Sequence, residues 1–173
     1  SVSYTHSFAK TENFFILYEN PLKLNLKNMF FSNKPFIENH EWTGAGVDFS
    51  VISKSGEIVA KITADSFFCF HKINSFEEDD KIHLDLIAYQ NTDIIQSFYF
   101  KQEKNYTNIM PQLQRYTLDL ATSSYTKHTF ALNALEFACI NNHYAQKSYN
   151  YFYAVAALKN TDSELNSLIK VNL

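Results

Sequence analysis

Glycine and proline are scarce in this chain, three of each among 173 residues. A protein rich in tight turns normally draws on both, because glycine reaches positive φ without strain and proline pre-sets a turn. That shortage, and a first residue that is Ser1 rather than Met, lead to the expectation of a piece of a longer chain or of a divergent one. Cysteine is scarce too. Cys69 and Cys139 lie in apolar runs without a CxxC partner, and they read as reduced, buried packing residues of an intracellular protein. No run of eighteen apolar residues is present, which excludes a simple membrane-spanning helix. A net charge of −3 and a pI near 6.0 leave no broad basic footprint, so nucleic acid is not an expected partner. There is no GxSxG, no P-loop and no GxGxxG, and no histidine pair at HxH, HxxxH or HExxH spacing.

What the chain does hold is apolar and aromatic. Hydrophobic residues make up 46% and aromatics 16%, enough for a packed core and too much for a disordered tail. "SYTHSFAKT" and "NFFILYE" form a β-rich pair separated by Thr11-Glu12-Asn13, and Pro21 ends the second strand. Residues 22–42 are less regular and fit one helical turn or a projecting loop. "GVDFSVISKSGEIVAKITA" predicts a hairpin turning at Ser53-Lys54-Ser55-Gly56. Residues 66–74 and 81–89 predict a second hairpin around "EEDD". In its return strand Ile82, Leu84, Leu86 and Ala88 share one face, and His83 and Asp85 share the other. "QSFYFKQ", "QRYTLDL" and "SYNYFYAVAAL" read as further strands. "TFALNALEFACI" is rich in Ala and Leu and favours helix on propensity. The tail "TDSELNSLIKV" fits a capped helix start or a polar turn before a strand. Hairpin after hairpin without a βαβ rhythm gives an all-β antiparallel architecture; a sandwich, a barrel or part of a propeller would each satisfy it.

Six histidines are present: His6, His40, His71, His83, His128 and His143. His6 and His71 stand apart because each is embedded in aromatic, strand-like sequence. A buried neutral imidazole needs a partner for each ring nitrogen. Backbone groups can supply both, or a metal can supply one while a carboxylate orients the other. His83, opposite the apolar face of its strand, reads as surface, and His143 as loop or rim.

Four segments, in order, resemble the carotenoid cleavage oxygenases, with the animal branch of β-carotene oxygenases and retinoid isomerohydrolase the nearest match. "SYTHSFAKTENFFILYENPLKLNL" is similar to the family's Tyr-x-His-Ser-Phe segment. "FHKINSFEEDD" with the strand after it resembles Phe-His-x-x-Asn, an acidic turn and a strand carrying Asp. "PQLQRYTLDL" resembles Pro-x-x-x-Arg-Tyr/Phe-x-Leu. "LEFACINNHYAQKSYNYFYAVAA" resembles Glu-Phe-Pro-x-Ile-Asn and its Tyr-rich follow-up. Ala138 departs from that pattern, standing where the family has Pro.

The resemblance implies a seven-bladed β-propeller with Fe(II) held by four His ligands on its axis, residues 1–173 being an incomplete central portion. By the matched motifs His6 and His71 are two of the metal ligands, and Glu136 is a supporting carboxylate. His40, His83, His128 and His143 fall on none of the ligand positions. The implied activity is Fe(II)-dependent oxidative cleavage of a carotenoid or apocarotenoid double bond by O2, giving aldehydes such as retinal. The alternatives are a retinyl ester isomerohydrolase, and a non-catalytic carotenoid- or lipid-binding propeller fragment. An isolated piece of this size is expected to be unstable or catalytically silent, with activity residing in the parent chain. Met29, Phe30 and Phe31, flanked by Lys23, Lys27 and Lys34, are candidates for shallow contact with a membrane at the tunnel entry, in a chain otherwise expected in the cytoplasm.

Overall fold

The computed structural model of the protein describes residues 2–99, 109–157 and 165–173. Its first sheet has the order β1 (Ala9–Lys10), β2 (Phe14–Glu19), β5 (Val47–Ser53), β6 (Ile58–Ala64). The second is an antiparallel meander of β7 (Phe68–Glu78), β8 (Lys81–Tyr89), β9 (Gln112–Asp119) and β10 (Ser124–Asn133). The third contains β11 (Leu135–Cys139), β12 (Tyr151–Ala156) and β13 (Ser167–Asn172). Between β2 and β5 the chain makes an excursion: β3 (Leu22–Leu24), the single-turn α1 (Leu26–Phe31), a 3-10 turn over Phe36–Asn39, and β4 (His40–Trp42), which pairs with β3.

The shortage of glycine is met by other residues. The β7–β8 hairpin closes on the pair Glu78↔Lys81 through Asp79 and Asp80, at φ 52° and 57°. Two consecutive left-handed residues are what a two-residue turn matched to strand twist requires, and Asp tolerates that region better than most side chains. Ser123, Ala134, Phe137 and Gln146 also take positive φ. Of the three glycines, Gly46 serves a close approach: a Cβ there would lie 2.5 Å from the carbonyl oxygen of Ala64.

Each sheet is apolar on the faces it turns to its neighbours. Ile16, Tyr18, Phe49 and Val51 of the first sheet meet Leu84 and Tyr116 of the second in one core. Ile73, Phe76 and Ile87 of the second meet Leu135, Phe152 and Ala154 around the third in another. Burying side chains of this size contributes about 1.5–3 kcal/mol each. The second sheet is thus covered on both faces, which corrects the surface reading of His83. That ring is half-buried, stacked on Phe76 at 4.9 Å and bonded to Thr117 at 3.0 Å. Burial, then the nearby Arg115 charge, lowers its pKa. Asp85, on the same strand face, is wholly buried.

Three further expectations are corrected. Residues 129–133 and 135–139 are strand, not helix, because β10 pairs with β9 and β11 with β12; tertiary pairing overrides the Ala/Leu propensity. Cys139 is exposed, while Cys69 is buried as expected. The start of "QSFYFKQ" ends the short helix α2 (Asp93–Gln96) and a following turn instead of forming a strand; residues 100–102 lie outside the described ones. The tail resolves as strand β13, with residues 161–164 outside the described set.

Candidate metal centre

β1, β7 and β11 are each the terminal strand of their sheet, and β7 packs against both of the others. Three inner edges therefore come together, and all three residues expected at the site lie on or beside them. His71 is on β7, Glu136 is on β11, and His6 precedes β1 in a stretch without strand pairing. The His6 and His71 ring centroids are 5.1 Å apart and nearly perpendicular, at 84°.

Glu136 is buried and fully partnered. Its Oε2 accepts from His71 Nδ1 at 2.7 Å and from the backbone N–H of Phe137 at 3.1 Å. Its Oε1 accepts from the Tyr89 hydroxyl at 2.6 Å. Burial first, and then the carboxylate, push the Tyr89 pKa up, so its hydroxyl stays a donor. With every partner donating, the carboxylate holds a proton on His71 Nδ1 and leaves Nε2 with its lone pair. The register of β11 shifts between Glu136 and Cys139, and Phe137 sits there at φ 54°. A bulge re-aims side chains locally; here Glu136 turns into the core and the Phe137 ring lies 5.3 Å from that of His71.

At His6, the Tyr4 hydroxyl occupies Nδ1 at 3.1 Å. Phe70 packs edge-on to His6 at 5.4 Å and tilted to Phe98 at 6.0 Å, so the surroundings of the imidazoles are aromatic.

These two imidazoles fit a transition metal. Each has Nδ1 engaged, and with Nδ1 as the donor, to the Tyr4 oxygen or to the Glu136 carboxylate, Nε2 is left to bind. With a metal about 2.1 Å from nitrogen, two rings bound about 90–110° apart would have centroids roughly 5 Å apart, as these do. The orienting carboxylate on His71 is the usual outer partner of a metal-bound histidine. Among the described residues no cluster of three or more His, Cys, Asp or Glu side chains forms a metal-holding group. His40, His83, His128 and His143 engage Phe36, Thr117, Phe130 and Tyr144, respectively. Tyr89 and Tyr4, which complete the outer bonding, were not legible as site residues; only the fold brings them to Glu136 and His6.

The fold and site define a class: consecutive antiparallel sheets whose inner edges carry imidazoles, one of them seated on a carboxylate. The whole chain, residues 1–173, matches the family described as retinal pigment epithelial membrane protein, and the protein belongs to that family. It is 27% identical to apocarotenoid-15,15'-oxygenase of Synechocystis, an alignment covering 99% of this chain and 36% of that protein. It is 29% identical to human beta,beta-carotene 15,15'-dioxygenase over 69% of this chain and 24% of that one. A solved structure of cobalt-substituted Synechocystis ACO superposes with a TM-score of 0.83 at 26% identity, covering 99% of this chain and 36% of that one. The chain spans about a third or less of these relatives. Its fold is all-β and antiparallel, the three sheets being part of a seven-bladed β-propeller.

Proposed function

We propose that the protein is part of an Fe(II)-dependent oxygenase that cleaves a polyene double bond of a carotenoid or apocarotenoid. The observation that carries this is the perpendicular His6–His71 pair at 5.1 Å, with Glu136 seated 2.7 Å from His71 Nδ1. Relatives named as an apocarotenoid oxygenase and a β-carotene dioxygenase, and one solved with cobalt, favour the same reading. His6 and His71 would hold the metal through Nε2, and neutral imidazole ligands leave the charge of a divalent ion uncancelled. Bound Fe(II) would supply the electron chemistry that lets O2 react with a carbon–carbon double bond; both oxygen atoms end in two carbonyl products. Glu136 retains the proton on His71 Nδ1 throughout. Phe70 beside His6 and Phe137 beside His71 line the imidazoles with aromatic surface suited to a polyene.

The excursion between β2 and β5 supports a membrane approach for such a substrate. Phe30 and Phe31 of α1 are 72% and 89% exposed, and Leu26 and Phe36 beside them are exposed too. We place the protein in the cytoplasm with this patch resting on a lipid surface, where rings enter the acyl boundary and lysines meet phosphates.

In the intact natural protein, His71→Ala and His6→Ala should each abolish tight iron, read by metal analysis, and with it aldehyde formation from a carotenoid. Full metal content in either variant would remove the reading. Hydrolysis of a retinyl ester without consumption of O2 would replace it with isomerohydrolase chemistry. Phe30→Ser with Phe31→Ser should reduce co-sedimentation with liposomes several-fold, and unchanged binding would remove the membrane patch.

A further inference from the structure

His6 lies in an unpaired stretch and its residue is exposed, yet its ring must keep a fixed distance from that of His71. No strand ladder sets that distance. The shortest side-chain tie between the two segments is made by Ser7. The Ser7 hydroxyl bonds the carbonyl oxygen of Phe70 at 2.8 Å, tying the residue after His6 to the residue before His71. The same oxygen lies 2.5 Å from the Tyr18 hydroxyl. A serine has one proton to give, and a carbonyl can only accept. Ser7 therefore donates to Phe70, and the wholly buried Tyr18 donates to Ser7. Burial pushes the Tyr18 pKa up, consistent with a permanent donor.

A second link runs in parallel. Asn20, wholly buried, accepts from the Cys69 N–H at 3.1 Å, and its Nδ2 lies 3.3 Å from the Cys69 carbonyl and 3.4 Å from that of Tyr4. It thus touches the residue two before each imidazole. The longer distances make it the weaker tie.

We propose that Ser7, held by Tyr18, is a positioning residue that sets the spacing of His6 and His71 and so the metal affinity of the site. This rests on the metal-centre reading above. Outer groups of a metal site change affinity about 10–100-fold when removed. Ser7 acts through backbone, so the lower figure applies.

The test is Co(II) binding by the intact natural protein, followed by its visible absorption and by affinity, with metal-free thermal unfolding as a control. Ser7→Ala should weaken Co(II) binding about tenfold and alter the absorption bands, and, because the buried Tyr18 hydroxyl loses its acceptor, it should also lower the metal-free unfolding temperature modestly. Ser7→Thr, which keeps a hydroxyl, should bind as the parent does, and Tyr18→Phe should fall between. Parental affinity and spectrum in Ser7→Ala would overturn the proposal, as would equal losses in Ser7→Ala and Ser7→Thr. His71→Ala separates the two ideas. If it retains Co(II) the metal reading fails; if it loses Co(II) while Ser7→Ala does not, only the positioning role fails.

Discussion

The two faces of the central sheet are built differently. Toward the first sheet, β7–β10 present an apolar core of Leu84, Leu86 and Tyr116 packed on Phe49 and Phe67. Polar ties there run along the inner edge, where Ser75 bonds both backbone groups of Lys10 and Glu77 takes two bonds from Asn13. Toward the third sheet the core itself contains charge. Arg115 grips the buried Asp85 through two bonds, at 2.7 and 2.8 Å, and Tyr149 donates to the same carboxylate at 2.6 Å. Asn74 adds three bonds to the loop over residues 144–147.

An apolar interface is strong but forgiving of small slips, whereas directed bonds fix one arrangement. Here Tyr149 and Asn74 make the bonds that cross the gap, and Arg115, on the strand beside Asp85, holds the carboxylate that Tyr149 meets. The face that carries these polar ties is the one across which Glu136 must reach His71 to within hydrogen-bond distance. The first interface supplies stability; the second supplies register.

Breaking the Arg115–Asp85 pair should have the largest effect. Arg115→Ala leaves a buried carboxylate short of its cation, at a cost of about 3–5 kcal/mol, read as the urea midpoint of the intact protein. It should also weaken metal binding, because the Asp85 carboxylate that receives the Tyr149 bond loses the partner that fixes it. Leu84→Ala, on the apolar face, should cost about 2–5 kcal/mol and leave metal affinity unchanged. Equal loss of affinity in both variants would erase the distinction between the faces. Asn74→Ala leaves loop groups unpaired and should cost about 1–3 kcal/mol, again with some loss of metal.

At the inner edge the effect is smaller and depends on pH. Burial alone would raise the Glu77 pKa, but bonds from Thr11 and Asn13 outweigh it and hold it below the usual 4.5. A depressed folded value stabilises above the unfolded pKa, and that contribution is lost as pH falls through the folded one. Glu77→Gln should therefore flatten the acid limb of the stability curve below about pH 4.5. Smallest of all, Ala134→Gly should raise stability by up to about 1 kcal/mol, because Ala134 sits at φ 57°. No gain in thermal unfolding temperature would mean that the left-handed residues of this chain carry no strain.

The hairpins over 47–64 and 68–89 were legible from alternation, since a strand with one apolar face betrays itself at period two. The motif context singled out His6, His71 and Glu136, and the fold brings these three side chains together. The strand β11 was not legible. Its Ala and Leu favour helix locally, and the pairing with β12 that decides otherwise is a contact with residues fourteen or more positions away. Both faces of β8 are buried for a similar reason: alternation marks His83 and Asp85 as the polar face, but not that another sheet covers it.

The sequence by itself determined which segments are strands with an apolar face, and it singled out the two imidazoles and the carboxylate that come together. Only the tertiary structure decided that Ser7 ties His6 to the His71 strand, that Tyr89 seats Glu136, and that Arg115 and Tyr149 enclose Asp85. Periodicity is a local property that each segment carries alone. A hydrogen bond between residues 47 to 64 positions apart exists only once the sheets have packed, and no local pattern records its partner.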